Sequence, residues 1–126
     1  MSLEISSTTK SYPEQVSYAL IAESILGKKY DVSLAFVGTV RARELNQLYR
    51  SKNYIPNVLS FELDNTHGEV FITPVVAKKE AHKFNLTYQG YVGYLFIHAC
   101  LHLKGLDHGD TMDKLEKKYL KQFNLK

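Results

Sequence analysis

Apolar residues along the chain change period several times, and each change marks an element. Residues 3–6 alternate apolar and polar positions, the signature of a short strand with one half-buried face. From Pro13, a residue suited to a first helical turn, Val16, Ala19, Leu20 and Ile25-Leu26 recur at helical spacing until Gly27 stops them. Residues 31–38 return to alternation. Val32, Leu34 and Phe36 share one face and Ser33, Ala35 and Val37 the other, as expected of a central strand. Thr39 then caps a helix that runs to about Arg50 on Val40, Leu45, Leu48 and Tyr49.

Residues 51–57, with Asn53 and Pro56, read as a loop. Residues 58–63 and 69–73 flank Asp64-Asn65-Thr66-His67-Gly68, which predicts a β-hairpin with His67 exposed in its glycine-containing turn. Pro74 opens a helix reaching Phe84, with His82 on its solvated side. After a loop over 85–89 the chain is apolar on nearly every face as far as Leu103, which predicts a central helix. Asp110, with Asp113 three residues on, caps a last helix. Its apolar set is Met112, Leu115, Tyr119, Leu120 and Phe123, and Lys114, Lys117, Lys118 and Lys121 make a solvated face. Strands and helices do not alternate regularly beyond Gly68, so the expected class is α+β. One domain over 1–126 holds a mixed sheet of about four strands covered by helices.

Composition narrows the setting. With 126 residues, 44% of them hydrophobic, the chain suffices for one real core. A single cysteine excludes an internal disulfide framework and suits a reducing cytoplasm. Residues 1–11 lack the apolar core of a signal peptide, and no stretch approaches a membrane span. The net charge of +3 permits a nucleic-acid partner without requiring one. Its distribution says more: residues 39–53 carry Arg41, Arg43, Arg50 and Lys52 against Glu44, whereas residues 54–69 carry Glu62, Asp64 and Glu69 with no lysine or arginine.

Chemistry concentrates at the end of the central helix. His98 and His102 are four residues apart, hence one turn apart on one face, where two imidazoles can aim at a single point. At about 100° per residue they lie with Tyr91 and Tyr94, opposite a stripe of Val92, Phe96, Ala99, Cys100 and Leu103. Gly105 accepts the left-handed conformation that ends a helix and lets the chain fold back to deliver His108. Three neutral imidazoles suit one zinc ion and leave its fourth position open, the arrangement of a catalytic site. Zinc proteases of the metzincin class share this spacing, but there a glutamate follows the first histidine as general base. Here Ala99 follows, and a methyl group takes no proton.

The run from His98 to His108 resembles the H-G-x-L-H-L-x-G-Y-D-H signature of the YbeY family of metal-dependent endoribonucleases, the rRNA maturation factors. Leu101, Leu103, Gly105, Asp107 and the three histidines match, whereas Ala99 replaces a glycine and Leu106 an aromatic. Leu45-Asn46-Gln47-Leu48-Tyr49-Arg50-Ser51-Lys52, followed by Asn57-Val58-Leu59-Ser60-Phe61, is similar to the second signature, L-N-x-x-Y-R-x-K then T-[DN]-V-L-S-F. Pro56 stands where threonine is usual and removes a hydroxyl and a backbone donor.

The resemblance implies an endoribonuclease with a preference for single strands, acting in maturation of the 16S rRNA 3′ end and in ribosome quality control. Its partners would be single-stranded rRNA and the small ribosomal subunit with associated proteins. It implies that Arg50 is needed for activity, a role a planar guanidinium can fill by clamping the scissile phosphate. Lys52, Asn57 and Ser60 are candidate RNA contacts. Asp107, beside His108, is the candidate for orienting an imidazole through the ring N–H that does not face the ion. Two other readings remain: a zinc-containing ribosome-assembly factor that cuts nothing, and a different metallohydrolase, of which a peptidase is disfavoured by Ala99.

Overall fold

The computed structural model describes residues 2–126, and its elements are β1 (Leu3–Ser7), α1 (Tyr18–Leu26), β2 (Asp31–Phe36), α2 (Thr39–Arg50), β3 (Val58–Asp64), β4 (His67–Ile72), α3 (Pro74–Glu80), α4 (Tyr88–Leu103) and α5 (Asp110–Gln122). The class is α+β, as the pattern predicts. Four strands form one sheet in the order β1-β2-β4-β3, parallel from β1 through β2 to β4 and antiparallel between β4 and β3. β2 is central, and its Val32, Leu34 and Phe36 are buried, level with Val70 and Ile72 of β4.

That face of the sheet is covered by α4, sixteen residues of which eleven are buried. Helix α1 packs beside it through Tyr18, Ile21, Ala22 and Ile25. The edge-to-face contacts of Tyr18 with Phe36 (5.8 Å between centroids) and with Phe96 (5.4 Å) join sheet, α1 and α4 into one core. Thr87 caps α4 by accepting from the Gly90 N–H at 3.0 Å. At the other end Gly105 takes φ +103°, and the N–H of Leu106 closes onto the Leu101 carbonyl. This is the helix stop on which delivery of His108 depends.

Several boundaries differ from the sequence pattern, each for a local reason. Helix α1 starts at Tyr18 rather than in the turn after Pro13, because the Tyr18 hydroxyl donates to the Pro13 carbonyl at 2.7 Å and folds that turn back on itself. Gly38, not Thr39, precedes the first residue of α2, and Gly109, not Asp110, does so for α5. The hairpin turn shrinks to Asn65-Thr66, with the Asp64 carboxylate accepting from the Thr66 N–H at 2.8 Å. His67 is therefore the first residue of β4, though still exposed. The helix from Pro74 tightens into a 3₁₀ turn over residues 81–84. The largest difference concerns α2. It buries Ala42, Leu45 and Asn46 but leaves Val40 and Leu48 in solvent, at 75% and 70% exposure.

Candidate metal centre

His98 and His102 project from the last two turns of α4, and the loop opened by Gly105 brings His108 beside them. One nitrogen from each ring lies within 4.8 Å of the others, and the ring centroids are 4.6–5.0 Å apart. The Nε2 atoms of His98 and His102 are 3.1 Å apart. Nitrogens about 2.0–2.1 Å from a tetrahedral zinc stand roughly 3.3 Å apart, so His98 and His102 already stand as ligands of one ion do, with the His108 nitrogen within 4.8 Å of theirs. The donors are all imidazole nitrogens, which suits a divalent transition metal.

The outer nitrogens of two rings are already engaged. Nδ1 of His102 donates to the Leu106 carbonyl at 3.0 Å, and Nδ1 of His98 lies 2.5 Å from a carboxylate oxygen of Glu116 on α5. Both pairings leave Nε2 with its lone pair toward the shared point. Burial, and after it the neighbouring His98, lowers the His102 pKa below its ordinary 6.5. The neutral ring that coordination needs is therefore the form present near neutral pH. Tyr94 donates its hydroxyl to Glu116 at 3.3 Å, and burial followed by the Glu116 charge pushes its pKa up to about 12.

The rings line an open groove of about 510 Å³. Arg50, at the end of α2, lines it too, as do Asn57 and Ser60 from β3 and the segment before it. Arg50 is held by two neutral acceptors: its Nη1 donates to Asn46 Oδ1 and to the Tyr54 hydroxyl, each at 3.2 Å. Asn46 is fully buried and spends its amide on the Tyr54 carbonyl at 3.0 Å, so the brace behind Arg50 is rigid. Left-handed Ser51 ends α2 just after it, turning the N–H groups of Ser51 and Lys52 back onto the carbonyls of Gln47 and Asn46.

The remaining candidate residues fall into different places. Ser60 lines the groove beside the histidines. The Asn57 amide donates to Glu80 at 3.1 Å and lies 3.4 Å from the Tyr91 hydroxyl, which itself donates to Glu80 at 2.9 Å, so that side chain ties the segment before β3 to α3 and α4. Lys52 is exposed and does not line the groove. Asp107 is exposed and hydrogen-bonds to no imidazole, because the turn after Gly105 carries its side chain outward; Glu116 and the Leu106 carbonyl orient the rings instead. Ala99 and Leu103, assigned by the wheel to the buried stripe, do line the groove. Cys100 is wholly buried, and burial pushes its thiol pKa up.

Sequence reasoning missed Asn46 as a brace, Tyr54, Glu62, a carboxylate lining the groove, and Glu116. A signal for Glu116 exists. Met112, Glu116 and Tyr119 share one buried stripe of α5, and a carboxylate in such a stripe needs a partner.

The model of the family "Endoribonuclease YbeY" matches residues 2–124 of this chain. A protein named endoribonuclease YbeY from Campylobacter jejuni is 39% identical over 111 residues, covering 81% of each chain. One of that name from Mycoplasma mycoides is 36% identical over 114 residues, covering 76% of this chain and 70% of its own length. The solution structure of TM1509 from Thermotoga maritima superposes with a TM-score of 0.70 at 26% identity, over 96% of this chain and 88% of that one.

Proposed function

The chain belongs to the family of endoribonuclease YbeY, and on that premise we propose that it is a zinc-dependent endoribonuclease of the cytoplasm that prefers single strands, matures the 3′ end of 16S rRNA and serves ribosome quality control with the small subunit and its proteins as partners. The observation that carries this reading is the meeting, on the walls of one groove, of three convergent imidazoles and a braced guanidinium.

His98, His102 and His108 would hold the ion, and nickel, cobalt or copper would also suit the three nitrogens. When bound, the ion supplies Lewis acidity toward a phosphate oxygen or toward water. Arg50 holds the scissile phosphate by its planar fork and stabilises the negative charge that grows during attack. Because Asn46 and Tyr54 hold the guanidinium beforehand, little reorganisation is left for the reaction itself. Ser60 offers a hydroxyl along the strand's path, Asn57 keeps the groove wall in shape, and Lys52 adds positive charge outside it. Among the described residues no helix is long and apolar enough to cross a membrane.

Metal analysis and cleavage assays on one purified sample test the proposal. The sample should contain about one divalent ion per chain and cut single-stranded RNA faster than duplex. Chelator should stop the cutting. His102→Ala should lose both ion and cleavage, whereas Arg50→Ala should keep the ion and lose cleavage. Cleavage that survives in both variants would identify a contaminating nuclease. Binding of rRNA or ribosomal proteins without any cleavage would convert the protein into a zinc-containing assembly factor.

A further inference from the structure

Glu116 comes from the last helix, yet its carboxylate sits directly behind a metal-site imidazole. We propose that Glu116 is a positioning residue for the ion, one that sets the tautomer and ring orientation of His98 and makes α5 part of the metal centre. The proposal rests on the metal reading above.

A carboxylate rarely occupies a buried stripe unless both oxygens find partners, because its desolvation is otherwise uncompensated. Glu116 is 6% exposed, between Met112 and Tyr119 on the buried face of α5. Both of its oxygens are engaged: Oε2 with His98 Nδ1 at 2.5 Å, and Oε1 with the Tyr94 hydroxyl at 3.3 Å. Tyr94 and His98 lie four residues apart on α4, so this one carboxylate grips two successive turns of the helix that carries the ligands.

An ionised carboxylate only accepts, so Nδ1 must carry the ring proton and the lone pair stays on Nε2. That atom is the one 3.1 Å from His102 Nε2, which places the lone pair at the common point of the rings. The partner of His102 does less. The Leu106 carbonyl fixes its tautomer at 3.0 Å but carries no charge. The carboxylate, tied to Tyr94 as well, therefore holds the His98 ring from a second helix, whereas His102 is held only by the turn that follows its own helix. A residue that merely docked α5 would satisfy its buried oxygens equally well and would leave metal affinity alone. That difference is measurable.

Zinc dissociation constants of the full chain are measured by competition with a chromophoric chelator, for wild type, Glu116→Gln, Glu116→Ala and Tyr94→Phe. Cobalt absorption spectra report the ligand geometry, and unfolding midpoints of the chelator-treated proteins confirm that each variant is folded. Glu116→Gln, which keeps shape and packing, should weaken zinc binding by about 10- to 100-fold and alter the cobalt spectrum. Glu116→Ala should do at least as much, and Tyr94→Phe, which spares the carboxylate–imidazole contact, should fall between these and wild type. If Glu116→Gln is folded and holds zinc as tightly as wild type with an unchanged cobalt spectrum, the positioning role is overturned while the metal site stands. A wild type that takes up neither zinc nor cobalt overturns both.

Discussion

Helices α4 and α2 line the same groove and are built on opposite plans. Helix α4 is buried along most of its length, its Phe96, Ile97 and Cys100 wholly inaccessible, and its histidines stand on a backbone locked between sheet, α1 and α5. Helix α2 buries Ala42, Leu45 and Asn46, rests Tyr49 against Phe61 of β3 at 5.0 Å between ring centroids, and leaves Val40 and Leu48 in solvent. The difference fits what each is proposed to hold. Three ligands must meet at one point to within a few tenths of an ångström, which demands an element that cannot shift. A guanidinium proposed to clamp a flexible polyanion would need reach and access, and Arg50 is placed by two local hydrogen bonds, one to the buried Asn46 and one to the Tyr54 hydroxyl.

Substitutions can break that contrast. Phe96→Ala, in the buried helix, should cost about 3–5 kcal/mol of stability in chemical denaturation, since it empties a fully enclosed site. A cost under 1 kcal/mol would show that α4 is not the rigid member. Arg50→Ala should lower the turnover of RNA by about 10²- to 10³-fold with ion content and unfolding midpoint unchanged. Arg50→Lys should recover only part of it, because an ammonium cannot reproduce the fork. Leu48→Ser, on the exposed face of α2, should change stability by no more than about 0.5 kcal/mol. A larger loss would mean that this face is covered by a partner or a second copy.

The smallest expected effect lies away from the groove, where His67 pairs with Asp64 at 2.8 Å and with Asp31 at 3.3 Å. The hydrogen bond that His67 Nδ1 donates to the Asp64 carboxylate raises the His67 pKa above its ordinary 6.5, so its contribution is complete below that pH and fades as pH rises through the raised value. The Thr66 N–H lowers the pKa of Asp64, and the Ser2 hydroxyl that of Asp31, both from 3.8, so their contributions hold above that pH and fade as it falls through the lowered values. Stability should gain slightly from the cluster between about pH 4 and 6.5. Added salt should flatten the gain, because all three groups are open to solvent. Thermal melts of wild type and His67→Gln across that range would reveal it as a difference confined to the window.

How far the chain could be read without coordinates varies along it. The histidine trio was legible because its members lie within eleven residues, where helical period and one glycine set the geometry. Arg50 was legible as a residue of a recurrent signature and not from its surroundings. The helical period misplaces the burial of α2, since Val40 and Leu48 follow it as faithfully as core residues do and period alone cannot tell which side of a helix finds a neighbour. Adjacency to His108 points to Asp107 for orienting a ring, whereas in the fold Asp107 is exposed and Glu116 and the Leu106 carbonyl take that place.

The amino-acid order by itself determined the elements, the helix stop at Gly105 and the convergence of three imidazoles, because contacts within one helix and the turn after it depend only on residue spacing. Which carboxylate stands behind His98, which amide braces Arg50, and that β3 and the segment before it bring Ser60 and Asn57 to the groove of the histidines were decided by the tertiary structure. Those contacts join elements far apart along the chain, and their partners are selected by how buried faces pack, a quantity that no local period encodes.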